Sequence, residues 1–486
     1  MHKASAALTS RGSGTGSGTG GEPAARLAVS AAATDGVAMS NAAFFEWFDE
    51  RRREQPQQVR RIPFSELSGW GFDQATGNLQ HRSGRFFTVH GLRVRSDFGP
   101  VPEWEQPIIN QPEFGILGIA VREIDGVLHL LMQAKSEPGN INGVQLSPTI
   151  QATKSNYSRV HGGSAVKYLE SFHRPAPGSV LADSLQSEQG TWFYRKRNRN
   201  MVVEVGPEVE AGEDFCWLTL GQVNALLGFD NLVNMDARTV LSCLPDWQPA
   251  VTGEVSDGAP ATSLHSAMSL HSDTEVRSWL TQRRIEHEIT TTALPLNHVT
   301  GWERWDDRIE HERGRYFSII AVDVSSGRRE VPAWSQPLLH PSGVGLAGLL
   351  VRHIDGVLHA LMRARVEPGL LDIAELAPTV QGTPGNYAHL PAEDRPPFQE
   401  ELLERSTEQA LFDSVLSEEG GRFHHAECRY VITEVADDVL ETEDGLRPGH
   451  EEFRWMSVTQ LGELLKYSSQ LNVQARTLVA ALRSVR

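Results

Sequence analysis

VPEWEQPIINQPEFGILGIAVREIDGVLHLLMQAKSEPGNINGVQLSPTIQATKSNY, residues 101–157, returns as VPAWSQPLLHPSGVGLAGLLVRHIDGVLHALMRARVEPGLLDIAELAPTVQGTPGNY, residues 331–387. The two stretches align without a gap, so that Trp104 falls on Trp334, Asp125 on Asp355 and Tyr157 on Tyr387. Agreement of this length marks an internal duplication, which decides the fold before any single element does. Polar residues kept in both copies and those kept in one copy point to different jobs.

The match extends outward. Ser68-Gly69-Trp70 recurs as Thr300-Gly301-Trp302, and DSLQSEQGTWF (Asp183–Phe193) recurs as DSVLSEEGGRF (Asp413–Phe423). Near the ends, Asn234, Arg238 and Thr239 match Asn472, Arg476 and Thr477. The units run over residues 41–247 and 271–486, joined by a Gly/Ser/Ala-rich linker at 248–270. Residues 1–40, with their Gly/Ser/Thr repeats, read as a flexible, disordered tail.

Each unit opens with an amphipathic helix, about Ala42 to Arg53 and about Thr274 to Ile285. Apolar runs flanking Asp125-Gly126 and Asp355-Gly356 predict β-hairpins. Leu181, Leu185 and Glu188 sit at helical spacing and predict a helix from Gly178 to Gln189, capped by Gly190. A strand pair and two short helices close each unit. Strands and segregated helices together indicate an α+β class.

Of 486 residues, 40% are hydrophobic and 22% charged, as expected for a globular chain with two or more cores. A net charge of −17 with no extended basic run argues against nucleic acid as partner. Three widely spaced cysteines form neither a metal motif nor a disulfide framework, and fit a reducing cytoplasm. No apolar stretch is long enough to span a membrane.

Dinucleotide, phosphate-loop, nucleophile-elbow and zinc-protease motifs are missing. SEQG and SEEG resemble the end of a Nudix box, but serines stand where two of the box glutamates would hold a divalent cation. That predicts the scaffold without a metal. The densest polar block is QLSPTIQATKSNY: by period-two alternation Gln145, Ser147, Thr149, Gln151 and Thr153 share a face. Asn156 and Tyr157 follow it. Such a face suits a hydroxylated ligand, or simply solvent. Trp104 and Gln106 could stack on and hydrogen-bond a base, or Trp104 could be a core residue. Trp334, Gln336, Thr379, Gln381, Asn386 and Tyr387 repeat this set in the second copy. His129 and His359, in apolar strands, read as structural. His161 of VHGG has Pro391 as its partner, and Gln145 and Lys154 become Glu375 and Pro384. This asymmetry places the chemistry in the first copy.

With WEQPII, QAKSEPGNINGVQLSPTIQATKSNYSRVHGG and LSEQG, echoed by WSQPLL, APTVQ and LSEEG, the chain resembles the NDP-hexose 2,3-dehydratase family. The resemblance implies two tandem Nudix-like repeats, commonly in a homodimer, acting on dTDP-4-keto-6-deoxyglucose without metal or other cofactor. It implies loss of the C-2 hydroxyl to give a 3,4-diketo-2,6-dideoxy sugar, which a 3-ketoreductase would consume. Proton transfer of this kind asks for titratable groups beside hydrogen-bond donors. Lys135, Glu137, Tyr157 and His161 are the expected catalytic set, with Trp104, Gln106, Gln145, Thr149, Gln151, Thr153 and Asn156 binding substrate. The second copy would be a scaffold or accessory nucleotide site. A metal-dependent Nudix-type hydrolase and a non-catalytic nucleotide-sugar binder are the alternatives.

Overall fold

The structure, a computed structural model, describes residues 23–154, 166–247, 269–327, 332–404, 410–436, 439–442, 445–447 and 449–485. The first repeat contains α1 (Pro23–Ala32), α2 (Asn41–Glu54), β1 (Gln57–Ile62), β2 (Trp70–Phe72), β3 (Leu79–His81), β4 (Thr88–Ser96) and β5 (Glu103–Asn110). It continues with β6 (Gly115–Ile124), β7 (Val127–Ser136), β8 (Val144–Ser147), β9 (Ile150–Ala152), α3 (Leu169–His173), β10 (Val180–Ser187), β11 (Arg197–Glu204), β12 (Phe215–Thr219), α4 (Leu220–Leu226) and α5 (Met235–Ser242).

The second repeat follows the same order: α6 (Asp273–Glu286), β13 (Ile289–Leu294), β14 (Trp302–Arg304), β15 (Arg308–His311), β16 (Phe317–Ser326), β17 (Ala333–Pro341), β18 (Gly345–Ile354) and β19 (Val357–Val366). Then come β20 (Ala374–Ala377), β21 (Val380–Gly382), α7 (Pro384–Tyr387), α8 (Gln399–Glu404), β22 (Ala410–Ser417), β23 (Glu427–Glu434), a hairpin β24–β25 (Glu441–Thr442, Gly445–Leu446), β26 (Phe453–Ser457), α9 (Val458–Leu464) and α10 (Val473–Ser484).

Each repeat builds a mixed seven-stranded sheet, ordered β10-β11-β6-β7-β12 in the first, with β8 beside β7 and β9 beside β6. The predicted hairpin joins β6 to β7: Asp125 (φ 50°) and Gly126 (φ 79°) both take the left-handed conformation that a two-residue type I′ turn requires. The first seven residues of β6 are buried, because core lies on both faces of this strand. One apolar cluster runs through both repeats, from Leu130 and Val240 to Leu349 and Leu478, with α5 and α10 in contact.

Two expectations change. Residues 180–187 form the strand β10, antiparallel to β11, instead of a helix. Apolar residues four apart share one face of a strand as well as of a helix, so Leu181 and Leu185 could not separate the two. Cross-strand pairing of Asp183 with Arg199 at 2.5 and 2.8 Å adds to the strand. Within the expected flexible tail, Pro23–Ala32 is helical, because Leu27 is fully buried and the Ser30 hydroxyl joins Leu128 to Leu220. The first strand of each unit also leaves its own repeat: β1 pairs with β16, and β13 pairs with β4. Each small sheet is thus completed by the other repeat.

At the pseudo-twofold axis the two halves interlock reciprocally. Gly139 N donates to Gly420 O at 2.7 Å and Gly369 N to Gly190 O at 2.6 Å. A Cβ on Gly139 would meet Phe423 O at 1.6 Å, and one on Gly369 would meet Phe193 O at 1.8 Å, so only glycine fits either turn. Buried Arg238 donates to Ser417 O at 2.7 Å and buried Arg476 to Ser187 O at 2.5 Å. Removing one buried charged member leaves its carbonyl partners unsatisfied. Arg476→Ala should therefore cost on the order of 3–5 kcal/mol in urea unfolding. The exposed Arg313→Ala should leave the midpoint unchanged.

Candidate active site

β6 and β7 pair tightly near their hairpin and then part, β7 toward β8 and β12, β6 toward β9. Thr149 sits at the fork. Its buried hydroxyl accepts from Ala120 N at 2.8 Å and donates to Leu131 O, replacing the next bond of the ladder. Thr379 does the same between Leu350 N and Leu361 O. Both threonines are structural pins, with their hydroxyls engaged by backbone. Gln145 likewise points away from the fork: fully buried, it donates to Ser417 Oγ at 2.6 Å across the repeat interface. The alternation expected along the polar block breaks at Pro148, where the chain passes from β7 to β6.

Below the fork lies the reactive ground of the first repeat. Lys135 Nζ is 3.3 Å from Glu137 Oε1, and Gln151 Nε2 donates to the same oxygen at 2.9 Å. Asn234 caps α5 by accepting from Ala237 N at 2.8 Å, and its amide reaches Gln151 Oε1 at 3.3 Å. Thr153 follows β9. Asn156, Tyr157 and His161 lie outside the described residues. His129 and His359 are buried structural residues, each with Nδ1 2.9 Å from a strand carbonyl.

Two residues that sequence reasoning missed complete this ground. Asp236, in the first turn of α5, and Glu419, from the SEEG turn of the second repeat, have carboxylate oxygens within 4.8 Å of each other and of Glu137. Burial, with Glu188, Glu419 and Glu137 nearby, pushes the Asp236 carboxyl well above its ordinary range against the pull of Lys135. Burial and Glu137 push Glu419 up to about 7, opposed by Arg422. Lys196 is lowered to about 8 by burial, against the attraction of Glu188. Three clustered oxygens could form part of a hard-cation site, but such ions take six or more ligands, and here Lys135 and Arg422 already offset the charge. The cluster is better suited to carrying protons.

Glu188 and Glu418 belong to the box-like segments. Both are buried at the repeat interface, where Asn198 donates to Glu188 at 2.5 Å and Gln189 to Glu418 at 2.6 Å.

The second repeat reproduces the framework with different chemistry. Arg365 pairs with Glu367 at 3.0 Å, Gln381 donates to Glu367 at 2.8 Å, and Asn472 donates to Gln381 at 2.7 Å. Gln474 stands in place of Asp236, and Gln189 in place of Glu419. A cavity of about 800 Å³ opens here, lined by Arg365, Gln381, Tyr387 and Gln474 together with Trp104 and Gln106. Asn386 also borders it, accepting from Tyr316 N at 3.0 Å.

Trp104 and Gln106 therefore face the second repeat's residues, not those of the first with which they were grouped. Gln106, linked to Trp104 Nε1 at 2.8 Å, donates to Thr191 O at 2.8 Å, and this loop docks on Gly369. By the same rule Trp334 and Gln336 belong with the first repeat's ground: Gln336 donates to Gly421 O at 2.8 Å, and Gly421 N to Glu419 at 3.0 Å. Each site takes its floor from one repeat and a Trp–Gln pair from the other. The SEQG/SEEG and Asp236/Gln474 differences between copies were the available clue.

Buried acids are testable at a third position. Glu375, the counterpart of Gln145, is raised from 4.5 to about 7 by burial, although Ser187 donates to it. A carboxyl with a raised folded-state pKa binds extra protons in the folded state, so stability falls as pH rises from about 4.5 to 7. Glu375→Gln should be more stable than the parent above that window by on the order of 1–3 kcal/mol, and lose the advantage toward its acid end. Denaturant unfolding at the two pH extremes measures this.

A family model described as NDP-hexose 2,3-dehydratase matches residues 41–244 and again 273–482. Among curated proteins, the chain is 51% identical over 448 residues to a dTDP-4-dehydro-6-deoxy-alpha-D-glucopyranose 2,3-dehydratase of Saccharopolyspora spinosa, covering 91% of both chains. It is 47% identical over 464 residues to the protein of the same description from Amycolatopsis orientalis, covering 94% of this chain and 93% of that one. A third such relative, from Streptomyces violaceoruber, is 47% identical over 448 residues, 91% of this chain and 97% of its own.

Proposed function

The chain belongs to the NDP-hexose 2,3-dehydratase family, and from this we propose that it dehydrates dTDP-4-keto-6-deoxyglucose across C-2 and C-3. The observation that carries the reading is chain-long identity to dehydratases of that substrate, joined to a first-repeat site rich in proton carriers. The C-4 ketone acidifies the C-3 proton. Once that proton leaves, the C-2 hydroxyl, β to the ketone, departs as water. The resulting enol tautomerises to the 3,4-diketone, which a 3-ketoreductase can consume.

Elimination is assigned to the first repeat. Lys135, Glu137, Tyr157 and His161 supply enolate-stabilising and acid–base groups, with Gln151, Thr153 and Asn156 orienting the sugar and Trp334 with Gln336 walling the site. The second repeat, with Arg363 and Arg365 beside Gln381 and Trp104, suits an accessory nucleotide site, since guanidinium groups favour phosphate. A Nudix-like ancestry of each repeat is supported by its mixed sheet, whose parallel β6–β11 pair lies between antiparallel neighbours. The box-like segments, being strands, contribute nothing to it. Homodimerisation and a cytoplasmic location, the latter consistent with three free cysteines, complete the proposal. None of the described helices is long and apolar enough to cross a membrane.

Mass spectrometry of the protein with dTDP-4-keto-6-deoxyglucose, with the product trapped by a diamine, should record loss of one water whether or not a chelator is present. Diphosphate cleavage that needs a metal would instead establish the hydrolase, and unchanged substrate the binder. His161→Gln and Tyr157→Phe should lower turnover by about 10²–10⁴-fold while dTDP binding, read by calorimetry, persists. Trp334→Ala should weaken substrate binding at the productive site, seen as a raised KM, more than Trp104→Ala does.

A further inference from the structure

The three acids that meet at the first site come from three separate parts of the chain. Glu137 follows β7, Asp236 lies in the first turn of α5, and Glu419 arrives from the opposite repeat. Asp236 is 3% exposed, and its carboxylate meets no hydrogen-bond donor among the described residues. An unpartnered buried carboxylate costs free energy unless it carries a proton or meets a ligand. Its counterpart Gln474 and the counterpart of Glu419, Gln189, both line the cavity of the second repeat. The same positions in the first repeat therefore border the space a ligand enters.

We propose that Asp236 and Glu419 are the proton carriers of the elimination, Asp236 protonating the departing C-2 hydroxyl and Glu419 accepting the C-3 proton. The inference rests on the dehydratase reading above. It leaves Lys135 to hold the C-4 oxygen instead of transferring a proton. Glu137 pairs with Lys135 at 3.3 Å and accepts from the Gln151 amide at 2.9 Å. Like charges crowded in a buried site cannot all ionise, so the cluster holds a shared proton at rest. The charged groups facing it are Lys135 from β7, Glu188 from the turn after β10, Lys196 from just before β11, and Arg422 from the second repeat, and Asp236 and Glu419 are both raised among them.

The step balances without a co-reactant. The C-3–H bond breaks, its proton goes to Glu419, and its electron pair forms the enolate. The enolate then forms the C-2–C-3 double bond as the C-2–O bond breaks, and the leaving oxygen takes the Asp236 proton to become water. In the tautomerisation, C-2 takes the proton from Glu419 while the C-3 hydroxyl gives its own to Asp236. The cluster ends with the proton it began with. In the second repeat, Gln474 and Gln189 can do neither.

Glu419→Gln installs the residue that the other repeat already carries at Gln189, so the fold should accept it. In the full chain, this variant should lose both C-3 hydrogen exchange with D₂O and water release by about 10²–10⁴-fold. Asp236→Asn should lose water release while retaining C-3 exchange. Wild-type kcat/KM should rise with pH through about 7, and Glu419→Gln should abolish that limb. Both variants should bind dTDP as the parent does and melt no lower than it, since each removes a buried carboxyl with a raised pKa. If the wild type releases no water, the dehydratase reading fails. If it does, and either variant dehydrates at the wild-type rate, this inference alone fails. Activity abolished by chelator and restored by a divalent cation would also overturn it, making the cluster a cation site.

Discussion

Gly139 lies with its backbone directly against the Gly420–Phe423 turn, and Gly369 lies in the same way against Gly190–Phe193. This mutual approach of two turns, too close for any side chain, is the constraint on which the rest depends. It fixes the distance between repeats to within a hydrogen bond. It also sets the SEEG turn beside Glu137 and the SEQG turn beside Glu367. Arg238 and Arg476, reaching across to the carbonyls just before those turns, hold the arrangement from the core side.

The sites inherit their composition from that geometry. A fork between two strands makes a floor, and a turn from the other half carries in both a titratable residue and the Trp–Gln wall. Neither repeat alone contains a whole site. With the framework Glu–Gln–Asn shared, two amide-for-acid differences separate the three clustered acids of the first site from the single acid of the second.

Much of this was legible in the chain. The duplication, the Asp-Gly hairpins and the opening helices α2 and α6 are local or repeated patterns, and the structure has them within a residue or so of the expected bounds. Family membership followed from contiguous motifs. What was not legible depends on long-range pairing. Leu181 and Leu185 satisfy strand and helix periodicities alike, and only β11 decides between them. Trp104 precedes the first site's residues in sequence yet faces the second site, because sheet contacts and not chain order place it. Thr149 looks like a ligand-facing hydroxyl until the divergence of β6 and β7 shows what it replaces. Asp236 and Glu419 are more than 180 residues apart in sequence, and only the turn docking brings them together.

The crossing of β1 and β13 between repeats has a consequence for how such a molecule can change over time. Two separate, identical chains exchanging a strand in this manner would form a symmetric pair, and any mutation would alter both pockets at once. Joining the halves by a linker removes that restriction. One pocket can then keep three acids while the other trades two of them for amides, and the swapped strands keep the diverging halves from drifting apart. Asymmetry between the two halves of this chain is thus something that covalent fusion permits and strand exchange makes safe.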